Sequence, residues 1–278
     1  MKYKKKCSLK DMVWANTSRF FVLFISSFVS FFSLALDPQG PLALSMSGSG
    51  RAATGSGAEY HLINPAGIAH SSGFSSGAYY MFEVAKKRKP IWGVSLSETR
   101  QFPLALSYIK KRHSEEQYMS VSTAGFVVPG WSLGLSLSRW EQNKKANWNM
   151  QAGILVKPPQ SSFAVGATWD HILPLEGAFE KKRKWGLGLD YNFYKGFFLR
   201  ADAFYNQNTR WLVAGGIKAI FSDFLVLRFS ALWHLQQKVF LFSGGMGLET
   251  GQISLDYGFS RWEREQAWLH TINVRFSF

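Results

Sequence analysis

WLHTINVRFSF, residues 268–278, decides the fold. Ile272, Val274, Phe276 and Phe278 fall on one parity; Thr271, Asn273, Arg275 and Ser277 fall on the other. Such alternation is the signature of a strand with one apolar face, because successive side chains of a pleated strand point to opposite sides. The preceding stretch, Ile253 to Ser260, repeats it: Ile253, Leu255, Tyr257 and Phe259 against Ser254, Asp256, Gly258 and Ser260. Residues 185–193 and 131–138 do the same, with Gly and Ser dominating the polar parity. In this way fourteen segments of mostly 9–11 residues are read: 77–85, 91–99, 103–110, 117–128, 131–140, 147–157, 161–171, 183–193, 196–205, 210–221, 223–234, 238–248, 251–260 and 268–278. Twelve strands is the alternative.

That segment length is what a tilted strand needs to cross a bilayer. Trp92, Trp131, Trp140, Trp169, Trp185, Trp211, Trp233, Trp262 and Trp268 lie near segment ends, where interfacial girdles form. Aromatic residues make up 16% of the 278 residues and charged ones only 18%, against a mean hydropathy of −0.08. The chain is thus too apolar for an ordinary soluble domain and too polar for a helical membrane protein. The expectation is an all-β, transmembrane antiparallel barrel over residues 77–278.

Ahead of the barrel stand two other segments. Lys2, Lys4, Lys5, Lys6, Lys10 and Arg19 precede the apolar run 20–32, and Ser33 to Ala35 offer small residues for cleavage. This reads as a signal peptide, residues 1–35, cut near Ala35, with Met1 or Met12 as the start. Its removal takes away six basic residues and one acid, lowering the net charge from +14 to +9. It also takes the only cysteine, Cys7, so thiol catalysis, thiolate metal sites and disulfides are excluded from the mature chain. Residues 36–76 are rich in Gly, Ser and Ala, do not alternate, and carry a stiff turn at Asn64, Pro65, Ala66 and Gly67.

Connections sort by length. One set is tight, such as Val128 to Gly130 and Tyr194 to Gly196. The other is longer and basic, with Lys86, Lys87, Arg88 and Lys89, with Lys110, Lys111 and Arg112, and with Lys181, Lys182, Arg183 and Lys184. Long loops outside and short turns inside is the outer-membrane pattern. Basic loops there meet outer-leaflet phosphates of lipopolysaccharide type. Export and this placement argue against nucleic acid as a partner.

On the polar parity eight charges face the expected lumen: Asp170, Asp190, Arg200, Asp202, Lys218, Arg228, Asp256 and Arg275. An ion-pair network filling the lumen is the favoured reading, with Asp256 and Arg275 on neighbouring strands able to pair. No catalytic, cofactor-binding or metal-binding constellation is read. His113 lies near Glu115 and Glu116, and His171 follows Asp170, without a nucleophile motif. His61 and His70 bracket the turn too widely for a strong metal signal.

Gly50 to Gly55, followed by Ile63-Asn64-Pro65-Ala66-Gly67-Ile68-Ala69, resembles the N-terminal region of the FadL-type outer-membrane transporter superfamily, which PorV-type proteins share. The resemblance implies that residues 36–76 form a hatch inside a fourteen-stranded barrel. It also implies passage of small hydrophobic compounds, with lateral escape through the wall beside the hatch. PorV-type relatives imply a different role, as partner or scaffold for secreted proteins; a structural barrel without transport is the third possibility. The terminal Phe276 and Phe278 resemble the signal that the barrel assembly machinery recognises.

Overall fold

The computed structural model describes residues 41–54, 59–71, 73–84, 90–111, 116–142, 144–172, 184–207, 210–222, 224–263 and 268–278. The signal segment lies outside them, as do Lys86, Lys87, Arg88, Lys89, Arg112, Lys181, Lys182 and Arg183. Among the described residues fourteen antiparallel strands close a barrel. They are β1 (Phe74–Glu83), β2 (Ile91–Glu98), β3 (Leu104–Lys111), β4 (Gln117–Val128), β5 (Trp131–Gln142), β6 (Lys145–Val156) and β7 (Phe163–Asp170), then β8 (Lys184–Tyr194), β9 (Phe197–Asn206), β10 (Arg210–Phe221), β11 (Leu225–His234), β12 (Val239–Thr250), β13 (Ile253–Trp262) and β14 (Leu269–Ser277).

Every strand pairs with its neighbours in sequence, and β14 closes on β1 from Ser75 opposite Ser277 to Glu83 opposite Leu269. Closure leaves no open sheet edge, which a bilayer would not tolerate. The first strand begins at Phe74, three residues before its expected start, because Phe74 and Phe278 exchange both backbone hydrogen bonds (2.9 and 2.8 Å). Lys110, Lys111 and Lys184, expected in loops, are strand residues at the ends of β3 and β8, since the ladder runs on to pair Lys110 with Gln117 and Asp170 with Lys184.

The two parities separate as the pleat requires. Leu133, Leu135 and Leu137 are exposed on the outer wall, while Ser132, Ser136 and Ser138 are buried within. An exposed apolar wall around a polar interior is an inverted protein, and lipid is the solvent that suits it.

The short turns 129–130, 195–196 and 251–252 share one rim with the start of β1 and the end of β14; the strand ends at Glu83, Ile91, Asp170 and Lys184, which the longer connections join, lie at the other. By loop length the first is the inner rim and the second the outer one. Gly130 and Gly196 hold φ of +82° and +81° in these turns, a conformation L side chains resist. Outward-facing Trp92, Trp169, Trp185, Trp211 and Trp233 sit near the outer rim, with Trp185, Tyr205 and Trp211 in mutual ring contact at 4.9–5.8 Å. Trp140 and Trp262 share parity with the buried Ser138 and Ser260 and face inward instead.

Candidate functional site

The lumen is occupied. Residues 41–54 and 59–71 run through it as a short helix, α1 (Pro41–Ser45), a buried loop, and two 3-10 turns, Tyr60–Leu62 and Pro65–His70. So short a segment has no core of its own; it borrows the barrel's. The Asn64-Pro65-Ala66-Gly67 turn packs against the inner halves of β4, β5 and β6. Ala52 and Ala66 meet Leu155 and Ala164 there.

Asn64 ties this knot. Its carboxamide oxygen accepts from Ala66 N (3.0 Å), capping the turn that Pro65 begins. Its amide nitrogen donates to the carbonyls of Arg51 and, on the wall, Ile154 (3.1 Å). One side chain therefore joins the two halves of the segment to each other and to β6. Nearby, the carboxylate of Asp202 accepts from the backbone N–H groups of Gly50 and Arg51 and faces the Arg51 guanidinium at 3.8 Å. Arg51 also donates to Thr168 (3.1 Å) and lies over the Phe204 ring at 4.4 Å.

The wall is shaped for this backbone. Side chains at Gly134, Gly153, Gly166 and Gly188 would strike Ala66, Asn64, Arg51 and Asp202 respectively. The Gly and Ser content of the polar parity thus leaves room for a second layer of chain. Two histidines add tethers. His61 bonds Ser107 (2.9 Å), and His70 bonds Ser132 (3.0 Å), which donates to the Ala66 carbonyl. The fold thus makes two His–Ser pairs between residues far apart in the chain. In the second, the serine proton is committed to a carbonyl and is not available to a base. Burial and the charge of Lys157 hold His70 below the usual histidine range.

The other wall is ionic. All eight expected lumen charges lie on inward-facing positions, but their pairing differs from expectation. Arg200 donates to Asp190 (3.0 Å) and Arg228 to Asp256 (2.8 Å). Arg275 does not take Asp256; it donates to Glu249 and Ser254 at 3.1 and 2.9 Å. Arg228 reaches Asp256 across β12 because Gly247 between them has no side chain. Lys218 lies 5.6 Å over the Phe198 ring. Asp170 closes the β6 and β7 ladder opposite Gln151 at the outer end. Glu249, expected in a tight turn, is a member of this network, as β12 continues to Thr250. Among the described residues no group of three or more His, Cys, Asp or Glu could hold a metal ion.

Toward the outer rim the lining changes. Leu212, Ala214 and Leu232 form a buried cluster with Phe204, Leu241 and Trp262. Opposite, Leu44 of the segment joins Tyr79, Met81 and Ile109, flanked by Leu62, Ile91, Tyr118 and Leu269. Two apolar clusters thus line parts of the outer lumen, between inward-facing polar residues such as Ser138, Asn147, Gln151 and His234.

These features define a closed fourteen-stranded barrel with a segment of the chain in its lumen, a fold shared with solved hydrocarbon channels. The CymD monoaromatic hydrocarbon channel superposes with a TM-score of 0.63 at 13% identity, over 86% of this chain and 97% of that one. The toluene transporter TbuX of Ralstonia pickettii gives 0.63 at 12%, covering 86% and 98%. The TodX deltaS2S3 mutant, a monoaromatic hydrocarbon channel, gives 0.59 at 12%, covering 88% and 100%. No protein-family model matches the chain, and no curated protein matches it by sequence.

Proposed function

We propose that this barrel passes small hydrophobic compounds across the outer membrane, with residues 41–54 and 59–71 as the hatch that must yield. The two apolar clusters of the outer lumen carry this reading. An aqueous porin keeps a polar interior along its length. Here Leu212, Leu232, Leu241 and Trp262 face Tyr79, Met81 and Ile109 across an entrance that water wets poorly and an apolar solute prefers. The segment below closes the direct route, and the ionic wall behind it disfavours apolar passage straight through the inner end. Lateral escape through the wall beside the hatch fits both facts. Small aromatic hydrocarbons are the substrate class, by likeness to the channels named above.

The same reading takes Phe276 and Phe278 as the contact for the barrel assembly machinery, and the basic residues of the outer connections as contacts for outer-leaflet phosphates. The scaffold role for secreted proteins rests on resemblance alone.

The test is uptake of radiolabelled toluene by intact Gram-negative cells, with and without the barrel in their outer membrane. Faster accumulation with the barrel, lost when Leu232 becomes Glu, is the expected result. Equal rates would refute the transport reading. In parallel, mass spectrometry of apolar molecules co-purifying in mild detergent should show enrichment over an unrelated barrel.

A further inference from the structure

Between residues 38 and 76 only two residues other than histidine carry charge, Arg51 and Glu59. Arg51 is met by Asp202. Glu59 makes no ion pair among the described residues. It is 4% exposed, and its carboxylate accepts one long bond, from the backbone N–H of Leu42 at 3.4 Å. The carboxylate lies over Gly77, next to the Asn273 side chain, against the wall formed by β13, β14 and β1.

The groups facing it can be taken element by element. β13 presents Asp256, a like charge. β11 presents Arg228, which is committed to Asp256 at 2.8 Å. β14 presents Arg275, committed to Glu249 of β12 at 3.1 Å. β1 presents the Tyr79 phenol, and the segment itself adds Tyr60 and His61. Arg228 and Arg275 are thus engaged by Asp256 and Glu249, with Lys218 of β10 also acting on Glu249, and no cation makes an ion pair with Glu59 among the described residues. The same wall holds fully buried polar atoms without partners: both amide atoms of Asn273, Thr271 Oγ1 and Asp256 Oδ2. A buried carboxylate is costly unless paired, and so is each unmatched polar atom around it.

We propose that Glu59 is a proton-operated catch of the hatch: protonated it seats against the β13–β14–β1 wall, and ionised it drives that side of the segment away. This rests on the reading of the segment as a hatch. The opposite side, held by the Asn64 bonds and by the Arg51–Asp202 ion pair, serves as the fixed end.

Burial first, then the charge of Asp256, pushes the Glu59 carboxyl up to about 7 from an ordinary 4.5. Released into water, the group returns to its ordinary range. The seated state therefore binds the proton more tightly than the released one. At pH below 4.5 both states are protonated and seating has no electrostatic penalty. Between about 4.5 and 7 each pH unit favours release by about tenfold, and above 7 the effect is at its full extent.

The test is single-channel conductance in planar bilayers from pH 4 to 8.5, on the wild-type barrel, Glu59→Gln and Gly166→Ala. Glu59→Gln keeps the shape and removes the titration. Gly166→Ala forces the fixed end out by sterics alone, whatever the pH. Expected are a wild-type opening frequency that climbs across pH 4.5–7 and levels off, a low, flat profile for Glu59→Gln, and openings at every pH for Gly166→Ala. A flat wild-type profile with a conducting Gly166→Ala overturns the catch and leaves the hatch. A pH dependence that persists in Glu59→Gln also overturns it. A silent Gly166→Ala with a flat wild type overturns hatch and catch together.

Discussion

Gly166→Ala is the sharpest single test of the seated segment. Gly166 faces the lumen on β7, and a methyl there would run into the Arg51 carbonyl and the Ala52 nitrogen. Both belong to the backbone, so no side-chain rotation relieves the clash. The ladder between Gly166 and its partners Leu155 and Gly188 is on the other axis of the residue and is not touched. Overpacking of one methyl into a filled space costs about 1–3 kcal/mol. Applied to the seated state alone, that shifts its population relative to the released state by about 5- to 150-fold. The barrel itself should keep its stability. Gly125→Ala supplies the control, because a methyl at Gly125 meets nothing within 4 Å. The assay is bilayer conductance, with heat-modifiable migration in electrophoresis to show that each barrel is folded. Expected are ion openings in Gly166→Ala and none above wild type in Gly125→Ala. Folded Gly166→Ala barrels with wild-type conductance would refute the placement of Arg51 against β7.

Other consequences follow from the same geometry. Arg228→Met leaves Asp256 buried without its 2.8 Å partner and should destabilise the barrel by about 3–5 kcal/mol, read as a lower temperature for the heat-modifiable shift. The double variant with Asp256→Asn should recover part of that loss, and no difference between single and double variants would refute the pairing. Asn64→Ala removes a turn cap and two donated bonds, with a cap alone contributing about 1 kcal/mol; expected are faster proteolysis within residues 41–71 and an unchanged barrel core. Deleting Phe278 removes both hydrogen bonds to Phe74 that begin barrel closure, and should lower the amount of heat-modifiable protein in the outer membrane. Normal amounts would argue that the terminal residue is dispensable for assembly.

The barrel was legible because its determinant is local. A pleated strand puts every second residue on one face, so parity alone assigned lipid and lumen sides along the chain. It placed Asp190, Arg200, Asp202, Lys218, Arg228, Asp256 and Arg275 inward before any pairing was known. Even so, parity did not decide what stands beyond the strand ends. Trp140 and Trp262 were expected in a girdle from their nearness to a terminus, whereas continuation of the pleat turns both inward.

Partnership across the lumen is a different kind of property. Asp256 and Arg275 sit on adjacent strands, and adjacency suggested a bond; Arg228 takes Asp256 from two strands away because Gly247 opens the path. Arg51 and Glu59 are the two charges other than histidine between residues 38 and 76, and sequence could not say that one would meet a carboxylate and the other would not. The glycines at 134, 153 and 166 looked like a generic lumen lining; only the course of the hatch shows that each makes room for a particular atom of it, while Gly188 leaves space for Asp202 as well as Arg51. Sequence by itself determined the period, hence the barrel, its lipid face and the charges it encloses. The tertiary structure decided which charges meet and where the hatch rests, because those depend on distances between segments far apart in the chain.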